Sequence, residues 1–113
     1  MGIEDWSEEI TVVELNDDPQ FSDDLAALGE RLDRSPADVV LNFAAVSFIN
    51  SSDVARLLRL RKRQINAGRH LLLCGVNTQV WGVFLVTGLD KIFEFINDIP
   101  TALATLQMAQ QKS

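Results

Sequence analysis

Reactive residues are scarce in this chain. It has one cysteine, Cys74, so no disulfide can form within it, and the apolar residues around Cys74 predict a buried, inert thiol. Its one histidine, His70, would lie about 13 Å from Cys74 on a common strand, so the two could not share a metal ion. The chain has no P-loop or dinucleotide-binding glycine pattern. We therefore expect no cofactor, no metal centre and no enzymatic activity.

Long hydrophobic runs are missing as well. No uninterrupted run of hydrophobic residues exceeds four, whereas a membrane-spanning helix needs roughly 20. The first residues are acidic and do not resemble a signal peptide, and Trp6 stands where a myristoylation motif requires Ser or Thr. The length of 113 residues suits one folded domain. We expect a single domain over residues 1–113, located in the cytoplasm.

Charge is distributed unevenly along the chain. The net charge is −6, and twelve of the sixteen acidic residues lie in positions 1–38. This excess argues against general nucleic-acid binding, which depends on neutralising phosphates. Six of the ten basic residues lie in positions 56–69, and Arg56, Arg59 and Arg63 are spaced to share one face of a helix. That face is either a solvated surface or a patch that steers an acidic partner.

Helix and strand patterns alternate from about residue 20. Strands are predicted over residues 9–15, 38–43, 69–74 and 91–96, and no strand is evident before Ile10. Helices are predicted from a Ser22 cap onward, from Ser51 to about residue 67, within residues 75–88, and from about residue 98. The alternation predicts an α/β fold, with a mixed, mostly parallel sheet of four or five strands packed with about four helices.

The strand at residues 38–43 is predicted to be the centre of this sheet. It is apolar at nearly every position, which is typical of a strand covered on both faces. Gly68 is placed to end the second helix in a left-handed conformation. The same patterns predict five core side chains, namely Leu57, Leu58, Leu72, Phe84 and Phe93.

Four aspartates surround the predicted turn before the first helix, namely Asp17, Asp18, Asp23 and Asp24. They could be imagined as a cation site. However, a turn and the start of a helix account for them without a ligand.

The segment at residues 47–54 carries the strongest functional signal. Ser51 and Ser52 follow a buried strand and open a helix. The first N–H groups of a helix have no internal partner and stabilise a phosphate. In parallel sheets, functional residues also collect at the carboxyl ends of strands. The two serines are therefore either helix caps or the place where a phosphoryl group is attached and recognised.

Between about residues 39 and 95 the chain resembles the STAS domain, the fold of bacterial anti-sigma-factor antagonists. The resemblance rests on the apolar strand, on Val46-Ser47-Phe48-Ile49 with the paired serines, and on the helix ending at Gly68. It also rests on Leu71-Leu72-Leu73-Cys74-Gly75 and on Thr87-Gly88-Leu89.

The resemblance implies a regulatory protein-binding module of transcription control. In such a module a serine kinase that doubles as an anti-sigma factor would phosphorylate Ser51, and the unphosphorylated form would bind that kinase. The expected partner surface consists of Asn50, Ser51, Ser52, Asp53, Arg56, Arg59, Trp81 and Leu85.

Departures from the family pattern keep a second function open. Asn50 stands where the family usually has Asp, and Asp53 stands where it usually has Gly. Residues 16–19 also replace a loop that normally helps to form the partner surface. The substitutions at Asn50 and Asp53 favour a non-switching structural subunit of a larger assembly, such as a lipid-transporter complex, whereas the altered loop indicates an unusual partner.

The third predicted helix is apolar on almost every side. Such a helix is normally covered, and the sheet of so small a domain covers one side of it. We expect Trp81 and Leu85 to form an exposed patch that pairs with a second copy of the chain or with a partner. Burial of both residues inside the monomer is the alternative.

Overall fold

A computed structural model of the chain describes residues 2–111, with side chains from residue 2 to residue 110. Within this range the helices and strands are β1 Ile3–Asp5, β2 Ile10–Asn16, α1 Gln20–Arg34, β3 Asp38–Ala45, α2 Ser51–Asn66, β4 Leu71–Cys74, α3 Thr78–Thr87, β5 Glu94–Ile96 and α4 Ile99–Gln111. A short 3-10 turn, Leu89–Lys91, follows α3. The strand order is β1-β2-β3-β4-β5, with β1 antiparallel and the other strands parallel. The predicted α/β fold with a mixed, mostly parallel sheet is confirmed.

The central position of β3 is confirmed too. Val39, Val40 and Leu41 are fully buried because helices cover both faces of the sheet. One hydrophobic cluster lies under α1, α2 and α3, and a second lies under α4. Burial of each large apolar side chain stabilises the fold by about 1.5–3 kcal/mol. No helix in the described part of the chain is long and apolar enough to cross a membrane.

The N-terminal part differs from the prediction in two ways. A strand does precede Ile10, because β1 pairs with β2 and places Ile3 opposite Val13. Ser22 is not the N-cap of α1, since the helix begins at Gln20 and the Ser22 hydroxyl donates a hydrogen bond to the Pro19 carbonyl. The carboxylate of Asp18 accepts a hydrogen bond from the Ser22 amide at 3.3 Å, which gives that helix-start donor a partner from the preceding turn.

Helix α2 is rotated relative to the predicted core face. Leu57 is buried as expected, but Leu58 is 38% exposed, so its assignment to the core is wrong. The polar residue Gln64 is buried instead, and its side-chain amide donates to the carbonyls of Ala37 at 2.8 Å and His70 at 2.9 Å. Those hydrogen bonds remove the usual penalty for burying an amide, so Gln64 can occupy the inward face. The other predicted core residues, Leu72, Phe84 and Phe93, are buried.

Glycines follow the ends of helices α2 and α3. Gly68 follows α2 with φ of 69°, and Gly88 follows α3 with φ of 75°. Both values lie in the left-handed region, where a side chain would be strained. The predicted end of the second helix is therefore confirmed.

Candidate partner-docking site

The candidate site lies at the carboxyl edge of the sheet, where the turn after β2 meets the loop between β3 and α2. The carboxylate of Asp17 accepts hydrogen bonds from the Ser47 amide and the Ser47 hydroxyl, both at 2.8 Å, and from the Phe48 amide at 3.4 Å. The Ser47 hydroxyl and amide lower the pKa of Asp17. Asn77 adds a hydrogen bond to the Val46 carbonyl at 2.8 Å. The loop that leads into α2 is therefore held from both sides.

The start of α2 is fixed by a reciprocal pair of hydrogen bonds. The side-chain oxygen of Asn50 accepts from the Asp53 amide at 2.8 Å, and the Asp53 carboxylate accepts from the Asn50 amide at 3.1 Å. This is a capping box, with Asn50 as the N-cap. The interpretation of Ser51 or Ser52 as the cap is therefore wrong. Asn, Ser and Asp are similarly good caps, and here Asn50, the residue immediately before the helix, takes the role.

Ser51 and Ser52 occupy the first two positions of α2, and both are exposed. Their amides precede the first hydrogen bonds of the helix, so by helix geometry they have no acceptor within it. The hydroxyl of Ser51 is thus accessible at the positive end of a 16-residue helix.

A carboxylate already lies beside these serines. Asp53 is 2% exposed, and burial raises its pKa. The hydrogen bond from the Asn50 amide opposes this shift, whereas the neighbouring carboxylate of Asp18 adds to it. Arg56 partly neutralises Asp53, with its guanidinium nitrogen 3.4 Å from the carboxylate. The start of α2 is therefore more acidic than a bare helix N-terminus.

Phe48 is a site residue to which the sequence analysis gave no role. Its side chain is 64% exposed, although its own amide is held by Asp17. The available signal was an aromatic residue in a short loop immediately before the paired serines. Aromatic side chains on rigid supports are frequent anchors of protein–protein interfaces.

Comparison with known proteins identifies the family. Residues 3–102 match the model of the STAS domain. This chain belongs to the STAS domain family. Among proteins with curated functions, none matches it in sequence.

Solved structures share the fold of this STAS domain at low sequence identity. A variant of RsbS from Moorella thermoacetica superimposes with a TM-score of 0.83 at 15% identity, covering 96% of each chain. The anti-sigma factor antagonist SpoIIAA in its unphosphorylated form gives 0.81 at 18% identity, covering 93% of this chain and 94% of that chain. A STAS domain protein from Planctomyces limnophilus gives 0.78 at 19% identity, covering 93% and 97%.

The basic residues of α2 are partly paired with carboxylates of the domain. Arg63 forms an ion pair with Asp33 of α1, and Arg56 pairs with Asp53. Arg59 is exposed and forms no ion pair with a described residue. Two of the three arginines that share this face are therefore already matched by the domain's own carboxylates, and Arg59 is the one whose charge faces solvent.

The patch on α3 is smaller than expected. Trp81 is half-buried, with its ring packed edge-on against Phe95 of β5 at a centroid distance of 4.9 Å, so the expectation of an exposed Trp81 is wrong. The sheet edge reaches this residue because β5 lies next to β4. Leu85 is 51% exposed, and Val86 beyond it is 89% exposed. Trp81 thus packs on β5, and Leu85 and Val86 form the exposed part of α3.

The remaining candidate residues have structural surroundings. Cys74 is buried, and burial, with a contribution from the Asp98 charge, raises its pKa to about 11, so the thiol stays protonated and unreactive. His70 is exposed just before β4, and its amide donates to Asp38 at 2.9 Å. In the part of the chain that the structure describes, no three acidic, histidine or cysteine residues are grouped to hold a metal ion.

Proposed function

We propose that this STAS domain is a regulatory binding module that acts as an anti-sigma-factor antagonist. It docks the carboxyl edge of its sheet on a partner protein, and phosphorylation of Ser51 prevents docking. The observation that carries the proposal is the exposure of Ser51 at the first position of α2, directly after a loop in which Asp17 holds Ser47 and Phe48 is exposed. Similarity to SpoIIAA, an anti-sigma factor antagonist known in unphosphorylated and phosphorylated forms, supports it.

The physical effect of phosphorylation is a change in the sign and shape of the docking surface. A phosphoryl group adds about −1.5 to −2 charges. The amides of Ser51 and Ser52 and the dipole of α2 stabilise it, so the fold survives. A partner surface that accepts a neutral hydroxyl must then accept a bulky dianion instead.

Asp53 and Asp18 oppose this modification. A like-charge pair at about 4 Å costs about 1 kcal/mol in water and several times more near a protein surface. The buried Asp53 has a raised pKa and a neighbouring Arg56, which reduces the repulsion. A phosphoryl group on Ser51 is therefore less favourable in this chain than in a relative with Gly at position 53.

The partner that fits this function is a serine kinase that also serves as an anti-sigma factor, or a related bacterial regulatory protein in the cytoplasm. Exposed Phe48 would fill an apolar recess of that partner, and Arg59 would meet one of its acidic groups. Leu85 and the exposed part of Trp81 would pair with a second copy. The module itself needs no cofactor and binds no nucleic acid.

One observation favours a different function, that of a non-switching subunit in a larger assembly. The capping box of Asn50 and Asp53 already fills the start of α2. A structural subunit would keep its partner whatever the state of Ser51.

The intact mass of the protein isolated from its native host, with and without phosphatase, separates the two functions. The switch predicts a form heavier by one phosphoryl group, which phosphatase removes and which Ser51→Ala lacks. A protein that never carries the group and remains in a stable complex would be a structural subunit.

A further inference from the structure

A second polar site lies beside the Ser51 loop. The N-terminal segment, the end of β2 and the first turn of α1 enclose an open depression of about 630 Å³. Its lining includes the acidic side chains Glu14, Asp17 and Asp24 together with the amide of Asn16. Among the described residues that line it, none is basic. Asp17 lines this depression and also holds Ser47 in the loop that precedes Ser51, so the two sites are continuous.

The carboxylate of Asp24 is the unusual member of this lining. Asp24 is 6% exposed, and its Oδ2 atom is buried with no hydrogen bond from any described residue. A buried carboxylate is normally paired or hydrogen-bonded, because water no longer stabilises its charge. The amides of Gln20 and Ser22 at the start of α1 donate to Asp17 and Asp18 instead of to Asp24.

The N-terminal segment passes close to this carboxylate, and a methyl group on Gly2 would clash with the Glu14 carbonyl oxygen. The Gly2 carbonyl accepts a hydrogen bond from the Glu14 amide at 2.7 Å, which extends the pairing of β1 with β2. A methyl group on Gly2 would lie 3.2 Å from Oδ2 of Asp24. Glycine at this position therefore brings the chain close to Asp24 without placing a side chain over it.

The chemistry of the lining selects an organic cation. The carboxylates and the Asn16 side chain offer hydrogen-bond acceptors, but the described part of the chain has no group of three acidic, histidine or cysteine side chains placed to hold a metal. A guanidinium group carries five N–H donors in a planar fork and is more weakly hydrated than an ammonium, so it suits a buried carboxylate best.

We infer that the depression at Asp24 binds a guanidinium group, supplied by an arginine side chain of the docking partner. This inference rests on the proposed function, because it adds a contact to the same interface. The arginine donates hydrogen bonds to the unpaired carboxylate of Asp24, and Glu14 at the exposed rim attracts the guanidinium charge. Docking at Phe48 would bring the partner over this depression, because Asp17 both lines the depression and accepts a hydrogen bond from the Phe48 amide.

The test uses methylguanidinium chloride as the probe, added to the full chain and followed by amide chemical shifts in nitrogen-15-labelled protein. Saturable shifts at Glu14 and Asp24 are expected with methylguanidinium, and none with the neutral isostere methylurea. Asp24→Asn should weaken probe binding at least tenfold. Asp23→Asn is the matched control, because Asp23 is exposed, lies outside the depression and makes the same charge change one residue away. It should alter binding by less than twofold.

Several results would overturn the inference. Equal probe affinity of Asp24→Asn and the unmodified chain would do so, as would shifts at the same amides with magnesium chloride at lower concentration than with methylguanidinium. A lower melting temperature of Asp24→Asn with unchanged probe binding would assign Asp24 a merely structural role. If Asp24→Asn fails to fold, Glu14→Gln takes its place, with an expected threefold loss of affinity and with unchanged affinity as the contrary result. Because the titration needs no partner, its failure leaves the Ser51 switch standing, and the failure of that switch leaves the titration intact.

Discussion

Asp17 and Ser47 lie 30 residues apart in the sequence and are joined by two hydrogen bonds of 2.8 Å. This contact links the turn after β2 to the loop after β3, and these are the two segments that build the proposed docking surface. Each segment alone is an exposed loop. Their connection fixes the position of Phe48 and, through the short run to Asn50, the start of α2. The surface therefore depends on a carboxylate that is itself outside the hydrophobic core.

The Asp17 contact predicts a pH dependence of stability. In the folded chain, hydrogen bonds from Ser47 lower the pKa of Asp17 below its ordinary value of 3.8. A group with a lowered folded pKa contributes stability above its unfolded pKa and loses it as pH falls through the folded pKa. Asp17→Asn should therefore flatten the decline in melting temperature below about pH 4. Melting curves between pH 2.5 and 6, a range set by the carboxyl titration, check this, with Asp23→Asn as a control that retains the decline. A decline of unchanged steepness in Asp17→Asn would contradict it.

The capping box predicts which residue at the start of α2 matters for stability. Asn50→Ala removes the acceptor for the Asp53 amide and should lower the free energy of unfolding by about 0.5–2 kcal/mol. Ser51→Ala removes a hydroxyl that caps nothing, so it should change that free energy by less than about 0.5 kcal/mol. Urea denaturation of both variants checks the difference. A larger loss for Ser51→Ala than for Asn50→Ala would mean that the serine is the cap.

The sequence was a good guide to the fold where local patterns decide the structure. The apolar run at residues 38–43 predicts a central strand, and β3 is buried in the middle of the sheet. It was a poor guide where distant partners decide. Gln64 lies on the inward face of α2 because the carbonyls of Ala37 and His70 accept hydrogen bonds from its side-chain amide. Strand β1 has Ile3 as its one apolar residue and exists through its pairing with β2.

The site was predicted in part for the same reason. Ser51 could be placed at a helix start from the strand–loop–helix pattern. Which residue caps that helix could not be decided, because Asn50, Ser51 and Ser52 all have suitable side chains. The Asp17–Ser47 contact leaves no periodic signal, since it joins two loops. Trp81 was expected to be exposed because nothing in its own helix indicates that Phe95 would pack against it.

The exposure of Phe48 predicts that its side chain anchors the proposed interface. Its side chain is 64% exposed, so Phe48→Ala should leave the melting temperature nearly unchanged. Loss of an aromatic anchor from an interface centre costs about 2 kcal/mol or more, which is about a thirtyfold loss of affinity. Isothermal titration with the partner that co-purifies from the native host measures this loss. Ile65→Ala is the control, because Ile65 is 56% exposed near the other end of α2 and should keep full affinity. Equal affinities of the two variants would remove Phe48 from the interface.

Ser51 predicts a switch that changes binding and not stability. Ser51→Asp places a negative charge at the first position of α2, where the helix dipole favours it. The melting temperature should therefore stay nearly unchanged, while partner binding is abolished; Ser51→Ala should keep binding. Ser52→Asp is the matched control for added charge one position along the helix and should weaken binding less. Undiminished binding by Ser51→Asp would leave the switch without support and favour the structural-subunit function.

We expect the Asp53 carboxylate to slow the phosphorylation of Ser51. Asp53→Asn removes the charge next to Ser51 but retains a side-chain oxygen that can accept the Asn50 amide. Removing a like-charge repulsion of about 1 kcal/mol should raise the rate of Ser51 phosphorylation by about fivefold. The rate is measured by intact mass against time with the kinase purified from the native host, at low salt, where repulsion is strongest. The gain should shrink at high salt if it is electrostatic. A rate for Asp53→Asn that equals that of the unmodified chain at both salt concentrations would show that the carboxylate at position 53 does not restrain phosphorylation, and that the capping box serves the helix alone.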